Sequence, residues 1–321
     1  MSRIRRIRRK KPRTGSVWKK LLLWGVLGLL VLAAAAVAGS YLYVRAYLKS
    51  DGFLVMLEQS AVDDMNVETA RIDPLDWDGS GIRCGGVVME GHEFLTSLQA
   101  RNIETEFSRW ELLKRAFVIT SVNIAELKLH LAPVSFRFRE KPEGPRSWAE
   151  ENILPDTFRL EKGSIDSLSV SYGEAGRLYV LDGARVESAY DAGSSQYRFD
   201  VRGGKLLLPF QGCPEFSLMS GTAQFNHSSR RVNIPSCRLT TDAGGYLDIK
   251  GDWDGSSSSW TANVVVNGVP VSSILEDHWR KHVHGSVSGG IDLRGGRDGV
   301  THVAGLARLQ GGMLTGLPVL D

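Results

Sequence analysis

Cysteine is scarce in this chain of 321 residues, at Cys84, Cys213 and Cys237 only. The odd count, the wide spacing and the absence of Cys-x-x-Cys exclude a zinc ribbon and a thioredoxin-like motif. Cys213 and Cys237 either pair across neighbouring strands in an oxidising compartment or stay separate buried thiols, and spacing alone admits both. Proline is equally sparse, 11 residues against 35 scattered glycines. That balance excludes collagen and a disordered stalk and suits short strands joined by tight turns. Phosphate-binding and catalytic signatures are missing too. There is no GxxxxGK[ST] and no strand-anchored GxGxxG, and Gly285-Ser286-Val287-Ser288-Gly289 puts valine where a nucleophile elbow needs serine. The paired acids Asp63-Asp64 and Glu150-Glu151 lie in turn-like or linker contexts, where solvated charge is the ordinary reading. No enzyme active site and no cofactor site is read from the chain.

Acidic residues are absent ahead of Leu21, where ten Lys/Arg accumulate. From Leu21 to Val44 no ionisable side chain occurs, and 24 such residues at 1.5 Å each reach across a ~30 Å hydrocarbon core. Basic flanks stay on the cytoplasmic side, so the remainder is expected across the membrane. Trp18 and Trp24 at one end, and Tyr41, Tyr43 and Tyr47 at the other, suit the two interfacial belts. Ala36-Val37-Ala38 before Gly39 resembles a signal-peptide cleavage site, but the apolar run continues past it, so a retained anchor is the expectation. Without the ten N-terminal cations the body carries 29 Lys/Arg against 36 Asp/Glu, about −7. It has no basic stripe with interleaved aromatics, and no nucleic-acid partner is expected.

The chain then divides into an N-terminal α+β segment at 45–132, a linker or loop at 133–156 and a β-rich segment at 157–321. Residues 45–62 read as an amphipathic helix and 65–72 as the first strand. Asp73-Pro74 and Asp76-Trp77-Asp78-Gly79 supply turn chemistry before a returning strand at 82–90. The apolar phase slips by one residue between Ile124 and Leu127, which predicts a β-bulge near Ala125-Glu126. Pro133–Pro155 breaks the pattern, since Lys141-Pro142-Glu143-Gly144-Pro145-Arg146 within it can hold neither ladder nor helix. After it, strand signals recur about every ten residues, the mark of an antiparallel all-β body. One late helix is expected over 270–281. Its His278 and His282, an i/i+4 pair beside His284, are the best metal candidates, but no Glu stands between them and solvent-exposed histidines at a helix end are the ordinary reading, so no metal site is assigned. The chain stops just after a strand signal, which reads as a shortened form of a longer protein.

Alternating strands with few helices to cover them leave an apolar face that must be buried by a second sheet, by barrel closure or by an apolar ligand. The order of parts adds to this. A basic-flanked helix precedes Phe53-Leu54-Val55-Met56-Leu57, then Leu75-Asp76-Trp77, Trp110-Glu111-Leu112-Leu113-Lys114-Arg115 and Val118-Ile119-Thr120-Ser121-Val122-Asn123-Ile124. Near the end come Val271-Ser272-Ser273-Ile274-Leu275 and Gly311-Gly312-Met313-Leu314-Thr315-Gly316-Leu317-Pro318-Val319-Leu320. This arrangement resembles the AsmA-like family of inner-membrane-anchored envelope proteins. The resemblance implies an elongated, curved antiparallel sheet forming an apolar groove, a single-pass inner-membrane protein with its body in the periplasm, and a role in phospholipid transport and outer-membrane biogenesis. Phospholipid is the implied partner, beside other envelope proteins. The groove positions proposed on this basis are Leu127, Leu129, Leu168, Val170, Leu247, Ile249, Val264 and Val266. The competing expectation is a membrane-tethered β-sandwich that binds or scaffolds a partner without conducting lipid; an exported hydrolase built on His278, His282 and His284 is a third.

Overall fold

Among the described residues, sixteen strands with largely period-two alternation belong to one sheet. The structure, a computed structural model, describes residues 50–77, 80–91, 94–108, 111, 116–133, 157–174, 176–209, 215–226, 229–273, 275, 277–296 and 299–315. The expected membrane span and the linker stretch 134–156 lie outside the described residues. Among the described residues no helix is long and apolar enough to cross a membrane.

Helix α1 (Asp51–Met65) starts where the Ser50 hydroxyl accepts the Phe53 amide at 3.3 Å and acidic Asp51 meets the positive end of the helix dipole. It ends at Asn66, whose φ of 51° is the left-handed cap that asparagine tolerates. That cap delays the first strand: β1 runs Thr69–Ile72, not from residue 65. Then follow β2 (Leu75–Trp77), β3 (Gly81–Glu90), β4 (Leu95–Phe107), β5 (Ala116–Leu131), β6 (Thr157–Leu160), β7 (Lys162–Glu174), β8 (Arg177–Asp191) and β9 (Gln196–Arg202). After these come β10 (Lys205–Leu207), β11 (Phe216–Asn226), β12 (Arg231–Thr241), β13 (Tyr246–Asp254), β14 (Ser259–Pro270), β15 (Val283–Gly296) and β16 (Gly299–Leu314).

Most neighbours are antiparallel, but the sheet is mixed, which departs from the wholly antiparallel expectation. β5 pairs in parallel with both β6 and β7. A parallel step needs a crossover of a dozen or more residues, and the proline-interrupted stretch after β5 is long enough to make one. The step joins the segments on either side of that stretch into a single sheet. The helix expected over 270–281 is broken into a 3₁₀ turn, Val271–Ser273, and the four-residue α2, Asp277–Arg280.

The β-bulge expected near Ala125-Glu126 does not form: β5 stays in register with β4 and β7 across that point, because the phase slip is shared by its neighbours. Residues Cys84 and Val87, Ala100 and Ile103, Ile124 and Leu127, and Ile165 and Leu168 pair across four adjacent strands. In each strand the apolar residues step by three at the same level instead of two. Asn102, with φ 51°, takes up the extra residue on β4. Because the slips coincide, no strand turns its apolar side to the wrong face.

Burial is uneven. Phe216, Leu218 and Leu239 form the tightest cluster at 3–6% exposure, with Leu181, Leu206, Leu247 and Ile249 packed against it. Among the described residues no large side chain falls below 2% exposure, as expected where one face of a sheet lacks a second layer.

Candidate functional site

The two faces of the sheet differ in chemistry. On β13–β16, the partners Leu247–Val266–Gly289–Ala307 and Ile249–Val264–Ile291–Gly305 form two rows across one face. On the other face the partners of the same strands are Asp248, Val265, Gly290, Leu306 and Lys250, Asn263, Asp292, Ala304. Cross-strand register sets this directly, because residues directly opposite share a face.

Within one strand the difference in shelter is measurable. Val264 and Val266 are half-buried, whereas Val265 between them is 41% exposed. Leu206 is half-buried and its neighbour Leu207 is 43% exposed. The apolar face is therefore the more sheltered one, yet most of it is not sealed.

All eight positions proposed from sequence lie on that face. Leu127 pairs with Leu168 and Leu129 with Val170 on β5 and β7. Leu247 pairs with Val266 and Ile249 with Val264 on β13 and β14. The two quartets are linked through Val170–Leu181, Leu181–Leu206, Leu206–Phe216, Leu218–Leu239 and Leu239–Leu247.

Sequence reasoning missed a further row. Tyr190, Tyr197, Phe225, Val232, Trp253, Trp260, Gly295 and Val300 are successive register partners from β8 to β16. The Tyr190 and Tyr197 rings stand 5.0 Å apart. The Trp260 indole covers Gly295, whose missing side chain leaves the space. The signal was present as aromatics flanking the hairpin turns, but only the register aligns them.

The opposite face is laced with ion pairs. Arg238 Nε and Nη2 donate to both Asp248 oxygens at 2.7 and 2.8 Å, and the guanidinium lies 4.6 Å from the Tyr246 ring centroid. Hydrogen bonding to Arg238 holds the Asp248 carboxyl below the usual range, and the Lys128 contact does the same for Glu126. Asp254 is held lowest, at about 2, by the Ser256 hydroxyl and amide, the Ser257 amide and Arg231. These pairs are exposed and keep one face wet; they make no reactive group.

Cys237 sits on the apolar face as a free thiol, as does buried Cys84 further along the sheet; burial pushes both thiols up. Cys213 lies outside the described residues. Of the histidine trio, His282 Nδ1 contacts the Thr315 carbonyl at 2.8 Å and His284 Nε2 lies 3.3 Å from the Thr315 hydroxyl. The His278 side chain lies outside the described set, and no metal-holding cluster occurs among the described residues. His130 Nδ1 and Ser171 Oγ, 2.6 Å apart on the polar face, form a serine–histidine contact that sequence reading did not single out. Ser171 stands within a regular strand, paired with His130 and Val180, and not on a turn that would present it as a nucleophile.

Compared with known proteins, the chain matches no family model, no curated protein and no solved structure. Among the described residues, fold and site define a class on their own terms: a single β-sheet with an apolar face and a charged face.

Proposed function

We propose that this chain is a membrane-anchored lipid carrier of the cell envelope, similar to AsmA-like proteins. Its sheet curves so that the apolar face becomes a groove for phospholipid acyl chains, in support of outer-membrane biogenesis. The observation that carries this reading is the run of apolar register partners from Leu127 to Val266 on a face that no second sheet covers among the described residues. Such a face gains about 25 cal/mol for every Å² it removes from water, and acyl chains supply that cover without hydrogen-bonding demands. A uniform lining lets a lipid slide with no strong specific site, so neither a catalytic group nor a cofactor enters the proposal.

The span at residues 21–44 serves as a single-pass inner-membrane anchor, with the basic residues 1–20 in the cytoplasm and the body in the periplasm. Phospholipid is the ligand, and other envelope proteins hand it on. The sandwich alternative calls for a second sheet packed on the first, whereas all sixteen described strands belong to one.

The test is purification of the full chain in mild detergent, followed by mass spectrometry of co-eluting lipid. Stoichiometric phospholipid that exchanges with added labelled phospholipid supports the carrier. A lipid-free protein that takes up none on incubation overturns it.

A further inference from the structure

The apolar face has a direction along its strands. At one end stand Phe216 at 4%, Leu218 at 6%, Leu239 at 3%, Val269 at 3% and Val271 at 7% exposure. The 3₁₀ turn carrying Val271 follows β14 there and packs on β15. Midway, Ile249, Val264 and Ile291 are half-buried. At the opposite end lies the aromatic row, in which Trp253 is 42% exposed. Beyond it the hairpin turns are hydroxyl-rich: Ser194 and Ser195 after β8, Ser229 after β11, and Ser256, Ser257 and Ser258 after β13.

Read along β13 and β14, the order is hydroxyls, then Trp253 and Trp260, then aliphatics, then a buried end. This order matches the polarity profile of a membrane leaflet, in which tyrosine and tryptophan collect where headgroup meets chain. The length along the strands is sufficient as well. From Trp253 to Leu247 is six residues, about 20 Å at ~3.3 Å each, against about 15 Å for half of a ~30 Å hydrocarbon core. The row itself crosses eight strands, or about 34 Å at ~4.8 Å per strand step.

Resting on the carrier reading, we infer that phospholipid lies with its acyl chains parallel to the strands and its headgroup at the Tyr190–Tyr197–Phe225–Trp253–Trp260 rim. The tails point toward Leu239 and Phe216. A lipid that moves along the sheet keeps this orientation, its headgroup following the aromatic row from strand to strand. The five aromatics are positioning residues; the aliphatic rows supply the retention.

The experiment uses the delipidated full chain in detergent with phospholipids carrying a nitroxide at acyl carbon 5 or carbon 16. The tryptophan signal lost in the W253F/W260F double variant isolates these two rings from the other six tryptophans. That difference signal is expected to be quenched at least twofold more by the carbon-5 label. A bimane placed by Val266→Cys, near the closed end, is expected to show the reverse order, and it serves as the second readout should the tryptophan variant fold poorly. Equal quenching by both labels, or the opposite ranking at the two probes, overturns the orientation. If phospholipid co-purifies but the ranking fails, only the orientation falls; if no phospholipid binds at all, the carrier reading falls with it.

Discussion

Trp260 lies across Gly295. A methyl group on Gly295 would stand 2.4 Å from both Cε2 and Cζ2 of the indole, well inside any van der Waals contact. Glycine at this position on β15 is what lets the ring lie flat on its cross-strand partner, and so completes the aromatic row.

Gly295→Ala is therefore expected to displace Trp260 and to destabilise the fold by about 1–3 kcal/mol, the usual scale of overpacking. Urea unfolding measures it. The added methyl would also stand 2.5 Å from the Gly299 carbonyl oxygen, in either background. With Trp260→Ala the same substitution is therefore expected to cost less without becoming neutral, and equal costs in both backgrounds would refute the indole's share.

Leu239→Ala removes the most buried member of the Phe216–Leu218–Leu239 cluster. The expected loss is about 2–3 kcal/mol, at the low end of leucine-to-alanine costs because the cluster closes only one end of the face. A drop in urea midpoint with an unchanged slope is the predicted result.

Asp254 titrates at about 2, well below the ~3.9 of an unfolded aspartate. A depressed folded pKa contributes stability that is fully present above the unfolded value and is lost as pH falls through the folded one. Carbon-detected NMR of the carboxyl between pH 5 and 1.5 is expected to show this low midpoint. Ser256→Ala is expected to move it upward, since the Ser256 hydroxyl is the largest cause of the shift.

Val264→Ser with Val266→Ser is expected to reduce co-purified phospholipid several-fold, because both side chains sit on the apolar face. Val265→Ser, between them on the charged face, is expected to leave lipid unchanged. Equal effects of the two variants would separate lipid retention from this face.

Cys84 and Cys237 carry thiols raised by burial, so little thiolate is present at pH 8. Both are expected to resist iodoacetamide in the folded chain and to react fully in urea. Mass spectrometry of tryptic peptides reads the two sites separately.

Much of the sheet was legible because strand alternation is local. The slip between Ile124 and Leu127, the turns at Asp191 and Asp254, and the eight apolar positions from Leu127 to Val266 all follow from side-chain period and turn chemistry. The helix expected over 270–281 was misjudged because helical spacing over a few residues does not secure a helix against the strands on either side. The parallel pairing of β5 with β7 was not legible either, since alternation is the same in a parallel and an antiparallel strand.

By itself the sequence determined that each strand has one apolar and one polar side, and that the stretch before the body is basic and then apolar. Both are properties of near neighbours in the chain, fixed by covalent spacing. Which strands stand side by side, and at which level, was decided only by the tertiary structure. Tyr190 and Trp260 are 70 positions apart, yet successive registers place them in one row. Cross-strand hydrogen bonding between distant segments sets those registers, and no local period contains that information.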